Sequence, residues 1–140
     1  RCDKFTYAIL EATLRTYLTP AEVQKENLSI TLFNRSQAEL LQIGKKIVKK
    51  LPMKIVDKFE IEVKQTEVEA GSGSLPLEKF TSAAIVFKGE MKASELSRKF
   101  RSAPNPVLGY ISGNRFHIDL KAIPATQEKW LLSSLISNLQ

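Results

Sequence analysis

The sequence predicts an α+β fold: an antiparallel sheet with helices on one side. Three observations carry that expectation. Phe59, Ile61 and Val63 alternate with Glu60, Glu62 and Lys64, the period-2 signature of a half-buried strand. Gly113-Asn114 joins two short strand-like runs, 107–112 and 115–121, as a two-residue hairpin turn. Helical spacing of apolar residues fills the remaining segments. The resulting order is helix, helix, strand, strand, helix, strand, strand, helix. Short hairpin links make this one antiparallel layer backed by helices.

The first helix is expected from the N-cap Asp3 to about Leu18. Phe5, Ile9 and Ala12 share a face, while Tyr7, Leu10, Leu14, Tyr17 and Leu18 carry apolar surface around the cylinder. Lys4, Glu11 and Arg15 are its polar stripe, so it needs cover on most sides. A missing upstream region is expected to supply that cover. Thr19-Pro20 opens a new turn, and a short irregular or helical stretch runs to Asn34.

Ser36-Gln37-Ala38-Glu39 reads as a capping box. Leu40, Leu41, Ile43, Ile47 and Val48 then predict a helix to about Lys50, closed by Pro52. The strand containing Phe59 is expected to reach Val68, with a register break near Gln65. Residues 71–76 are read as a loop, and Ala83–Phe87 as a central strand covered on both faces. Leu96 and Phe100 anchor a helix over 93–102, broken by Ala103-Pro104-Asn105-Pro106. In the last hairpin, Phe116, Ile118 and Leu120 are assigned to the core, and Arg115, His117, Asp119 and Lys121 to the outside. Pro124 and Thr126 open a final helix bearing Trp130, Leu131, Leu135, Ile136 and Leu139.

At 140 residues the chain suits one domain, and its 43% hydrophobic content excludes wholesale disorder. No apolar run approaches the roughly 18 residues of a membrane helix, so no membrane association is expected. The single Cys2 excludes a disulfide framework and a cysteine-based zinc site. No signal peptide is visible, and the start at Arg1 without Met suggests a fragment. A net charge of +6 allows an anionic partner without requiring one.

No complete active site can be read from the residues. His117 has no second His or Cys with which to bind a metal, so none is expected. Lys45, Lys46, Lys49 and Lys50 share a helical face that could meet phosphates. They crowd the helix C-terminus, have no interleaved aromatic, and are read as a solvated face, as are Arg98, Lys99 and Arg101. Gly71-Ser72-Gly73-Ser74 could form an anion-binding nest but lacks the Lys-Ser/Thr of a P-loop. Neither Ser72 nor Ser74 has a visible base.

Several segments carry a resemblance. Arg1-Cys2-Asp3-Lys4 and Leu10-Glu11-Ala12-Thr13-Leu14-Arg15 stand near the start. Gly71-Ser72-Gly73-Ser74-Leu75-Pro76 precedes Ser82-Ala83-Ala84. Pro106-Val107-Leu108-Gly109 and Asp119-Leu120 follow. Together, in order, they resemble the bacterial selenocysteine synthase family, the L-seryl-tRNA(Sec) selenium transferases.

The resemblance implies the small C-terminal domain of a fold-type-I pyridoxal 5'-phosphate enzyme. Residues 1–34 would then connect to a large upstream domain, and 35–140 would form the α+β small domain. It implies cytoplasmic β-replacement on seryl-tRNA(Sec), with selenophosphate as selenium donor. It also implies a homo-oligomer, a decamer in the family. The Schiff-base lysine would lie upstream, so the fragment alone should hold no catalytic residue and be inactive. Arg1 matches an arginine of the family motif that helps bind the anionic donor. A planar, permanently charged fork suits a phosphate-like oxyanion. Gly71, Ser72, Gly73 and Ser74 would border the active site. Two other functions stay open: a related lyase acting on an amino-sugar phosphate, and a basic nucleic-acid-binding module.

Overall fold

The computed structural model describes residues 1–19, 23–24, 26–69 and 79–140. The expected Pro20 turn and 71–76 loop lie outside the described residues. The chain divides into two compact units, Arg1–Asn34 and Arg35–Gln140.

The first unit contains α1 (Lys4–Arg15), a 3-10 turn at Thr16–Leu18, and α2 (Leu28–Asn34). The Asp3 carboxylate caps α1 by accepting the Thr6 N–H at 2.8 Å. Glu11 and Arg15 pair at 2.7 Å across one helical turn. No residue of α1 is buried, and Phe5 and Leu18 are 75% and 78% exposed. The apolar surface expected from the sequence is therefore uncovered.

The second unit begins with α3 (Gln37–Lys49). Ser36 Oγ caps it by accepting the Glu39 N–H at 3.2 Å. The Glu39 carboxylate accepts instead from Arg35 Nε, also at 3.2 Å, so only half of the expected capping box forms. A helix absent from the sequence reading follows, α4 (Met53–Phe59). Its Ile55 and Phe59, one turn apart, are buried. Phe59 therefore ends a helix rather than starting a strand. Glu60 turns the chain in the left-handed region, at φ 44°, and β1 begins at Ile61. Burial of Phe59 and Ile61 on either side of that corner imitates strand alternation.

Strands β1 (Ile61–Glu69) and β2 (Lys79–Phe87) pair antiparallel without interruption, from Ile61↔Phe87 to Glu69↔Lys79. The expected register break is absent. Ile61 and Val63 lie on the helix-facing side, but Gln65, Glu67 and Glu69 on that same side run into solvent, and Val68 belongs to the opposite face. The hydrophobic pattern changes because the strand outruns its helical cover.

Helix α5 (Ala93–Arg101) precedes β3 (Tyr110–Ser112) and β4 (Arg115–Asp119). The connecting Gly113 and Asn114 have φ of 54° and 59°, the paired positive values that twist-matched two-residue hairpins need. Residues 107–109 stay outside the sheet, and Val107 N–H instead donates to Phe100 O at 3.1 Å. The sheet order is β1-β2-β4-β3, antiparallel throughout. A 3-10 turn at Ala125–Gln127 leads into α6 (Glu128–Leu139).

One core joins the layers: Ala83, Ile85 and Phe87 of β2 and Phe116 and Ile118 of β4 meet Leu40, Leu96, Phe100, Leu131 and Leu135 from the helices. The Phe100 and Phe116 rings stack with centroids 5.5 Å apart, and Phe87 lies 5.8 and 5.7 Å from them. On the other face of β2, Ser82, Ala84 and Val86 are also buried. No second helical layer covers them among the described residues. Their neighbours are cross-strand partners: Lys64 and Asp119 flank Ala84, and Glu62 and His117 flank Val86.

Candidate functional site

The helix-free face of the sheet gathers the polar groups of the second unit. Its centre is the Asp119 carboxylate at the end of β4. It accepts the Ser82 hydroxyl at 2.9 and 3.0 Å, the Lys121 N–H at 2.9 Å and the more distant Thr66 hydroxyl at 3.4 Å. Asp119 thereby ties three segments together, and its partner Ser82 stands three residues from the start of β2. That is where the connection from β1, which contains Gly71–Ser74, re-enters the sheet.

The bond from Lys121 N–H to its neighbour's carboxylate is an Asx turn that ends the strand alternation. Lys121, expected outside, is therefore turned inward and is only 5% exposed. Its ammonium donates to Arg35 O at 2.9 Å. Burial pushes the ammonium below its ordinary pKa, while Asp119 opposes that shift. The Arg35 side chain is also buried; it donates to Ile123 O at 2.6 Å and pairs with Glu39 and Glu128. Gln37 Nε2 donates to Ser82 O at 2.9 Å. Strand periodicity cannot reveal this knot, because its members come from four segments and are polar. The visible signal was an aspartate at a strand end followed by a second polar residue two positions on.

His117 is half-buried rather than at the surface. Its ring stacks on Tyr110 at 4.9 Å, and Nε2 lies 3.3 Å from Ser112 O. Burial lowers the imidazole pKa; Lys64 and Arg115 add to the shift, and Ser112 O and Asp119 oppose it. The unfolded chain therefore takes up the proton at higher pH. This contribution to stability is fully present above the unfolded value of about 6.5 and is lost as pH falls below it. The urea midpoint should drop between about pH 7 and pH 5.5 in the wild type, and drop less in His117→Gln. Equal drops would show that other groups set this dependence. On the same face, burial pushes the Glu62 carboxyl up, but Lys88 and Lys64 outweigh it and hold the group below its ordinary value.

The Ser82 hydroxyl bonds to Asp119 directly, and His117 is aligned with Val86, four residues along β2 from Ser82, so the imidazole and this hydroxyl do not form a serine–histidine pair. No group of His, Cys, Asp and Glu among the described residues could hold a metal ion. Arg1 is exposed ahead of α1, in the other unit. Gly71, Ser72, Gly73 and Ser74 lie outside the described residues. Lys45, Lys46, Lys49 and Lys50 are all exposed. No helix among the described residues is long and apolar enough to cross a membrane.

The family model for L-seryl-tRNA selenium transferase matches residues 1–124. The chain belongs to that family. It is 34% identical over 127 residues to the L-seryl-tRNA(Sec) selenium transferase of Salmonella paratyphi B, and the same figures hold for the proteins of that name from Salmonella schwarzengrund and Salmonella typhi. The match covers 88% of this chain and 27% of each relative, so the chain spans about a quarter of their length. The family match spans both units. Of the segments that carry the resemblance, Ser82-Ala83-Ala84 and Asp119-Leu120 build the polar knot and the β2–β4 pairing.

Proposed function

We propose that this chain is the C-terminal part of a selenium transferase that converts seryl-tRNA(Sec) to selenocysteinyl-tRNA(Sec), using selenophosphate. The family match over residues 1–124 is the observation that supports this most directly. The name of the Salmonella relatives supplies the seryl-tRNA. In this reading the protein works in the cytoplasm as a homo-oligomer, with 35–140 as its small domain and 1–34 connecting to a large domain of fold type I.

The family implies pyridoxal 5'-phosphate as cofactor, and the described residues do not fit it. Lys121 is buried, but its ammonium is committed to Arg35 O beside Asp119. No described cavity joins an available lysine to a phosphate cradle and a ring partner. We assign the cofactor to the large domain.

The role proposed for this chain's own residues is charge and placement. Arg1 is exposed and forms no ion pair among the described residues, so its guanidinium is available to an oxyanion. A charge-assisted hydrogen bond contributes about 1.5–3 kcal/mol. Arg1→Ala in the whole protein should therefore raise KM for selenophosphate roughly tenfold to a hundredfold, with KM for seryl-tRNA little changed. Equal KM values for the donor in both proteins would remove Arg1 from the site.

Borohydride reduction of the whole protein followed by peptide mass spectrometry tests the domain assignment. The expected result is a pyridoxyl-lysine outside residues 1–140. A modified lysine within them, or none in the protein, would refute it.

A further inference from the structure

We propose that the lysine face formed by α3 and α6 is a docking surface for the phosphate backbone of the tRNA. The inference rests on the reading above that the substrate is a seryl-tRNA, and it adds where on this unit that RNA lies.

The sequence shows lysines at 45, 46, 49 and 50, two adjacent columns one helical turn long. The fold adds what the sequence does not. The first turn of α6 packs beside the last turn of α3, and Lys129 joins Lys46 and Lys50 around a cleft of about 140 Å³. Ile47 and Leu132 also line the cleft, as does Glu128. Lys45, Lys46, Lys49, Lys50 and Lys129 are all exposed.

None of these lysines forms an ion pair among the described residues. The carboxylate that lines the cleft, Glu128, pairs with the buried Arg35 at 3.7 Å. Five exposed cations thus stand on α3 and the start of α6, and three of them, Lys46, Lys50 and Lys129, share one cleft with a single carboxylate, Glu128. The helix C-terminus accounts for two or three of them on α3. It does not account for Lys129, which stands at the N-terminal end of α6, where the dipole disfavours a cation.

Such a face fits a polyanion. No aromatic lines the cleft to stack unpaired bases, and lysines read no base edges in a deep A-form groove. It therefore suits the sugar–phosphate backbone of a duplex arm rather than a loop, and its binding should be independent of sequence and steeply dependent on salt.

The test uses the whole protein and fluorescently labelled tRNA(Sec), with anisotropy measured across a salt series. One variant carries Lys46→Ala, Lys50→Ala and Lys129→Ala. A charge-matched control carries Arg98→Ala, Lys99→Ala and Arg101→Ala, exposed residues of α5. All six are surface positions, and equal thermal midpoints would confirm that both variants fold. The lysine variant should bind at least about tenfold more weakly at physiological salt, and the slope of log affinity against log salt should flatten by about 2–3. The control should match the wild type. Unchanged binding by the lysine variant, or equal losses in both variants, would overturn this inference while leaving the substrate reading intact. A wild-type protein that binds no tRNA would overturn the substrate reading and this inference together.

Discussion

Asp119→Ala should lower the stability of the α+β unit by about 3 kcal/mol. The carboxylate accepts from the Ser82 hydroxyl, the Lys121 N–H and the Thr66 hydroxyl. Ser82 is completely buried, so its hydroxyl would be left without that partner and without water. An orphaned buried donor costs about 1–3 kcal/mol. Lys121 adds to the loss, because Asp119, more than Glu39, offsets the burial of its ammonium. Urea titration gives the free energy directly, and a loss below about 1 kcal/mol would show that the knot is not structural. Asp119→Asn keeps an acceptor for the Lys121 N–H and should fall between. Combining Ser82→Ala with Asp119→Ala should cost less than the sum of the two, since they remove one shared interaction.

Gly109→Ala should cost about 3 kcal/mol, for a different reason. A Cβ at position 109 would sit 2.2 Å from His117 O and 2.7 Å from ring atoms of Phe116. The first obstacle is backbone of β4, which cannot rotate away. The three-residue β3 would have to lift from its neighbour, and Phe116 would have to leave its stack with Phe100. Overpacking in well-filled sites costs about 1–3 kcal/mol, and a rigid backbone obstacle places this one at the upper end. The loss should appear as a lower urea midpoint. A midpoint within error of the wild type would mean that the close approach of residue 109 to β4 is wrong. The steric demand also gives a physical reason for glycine at the end of the Pro106-Val107-Leu108-Gly109 segment.

Much of the fold was legible because it rests on local chemistry. Asp3 and Ser36 announce helix starts, and Gly113-Asn114 specifies its turn. Period-2 alternation places Phe116 and Ile118 in the core as expected. What escaped depends on tertiary context. Helix α4 is only seven residues long, and Phe59 satisfies a helical pattern with Ile55 and a strand pattern with Ile61 at once. The missing register break reflects where α3 and α4 stop covering β1, which no single segment encodes. Lys121 reads as outward by alternation until Asp119 turns the backbone.

The candidate site was less legible still. Arg1 entered only through resemblance, and Gly71–Ser74 lie outside the described residues. Arg35, Gln37, Ser82, Asp119 and Lys121 meet in space from segments up to 86 residues apart. Lys129 joins the α3 lysines only because α6 returns to pack beside that helix.

That this chain belongs to a working seryl-tRNA selenium transferase, as proposed, is testable through the overall reaction. The most direct measurement is to incubate the whole protein with tRNA(Sec) carrying labelled serine and with selenophosphate, then hydrolyse the ester and separate the amino acids. The expected product is labelled selenocysteine, formed only when donor and protein are both present. Labelled serine recovered unchanged, from protein that holds its cofactor, would contradict the proposal.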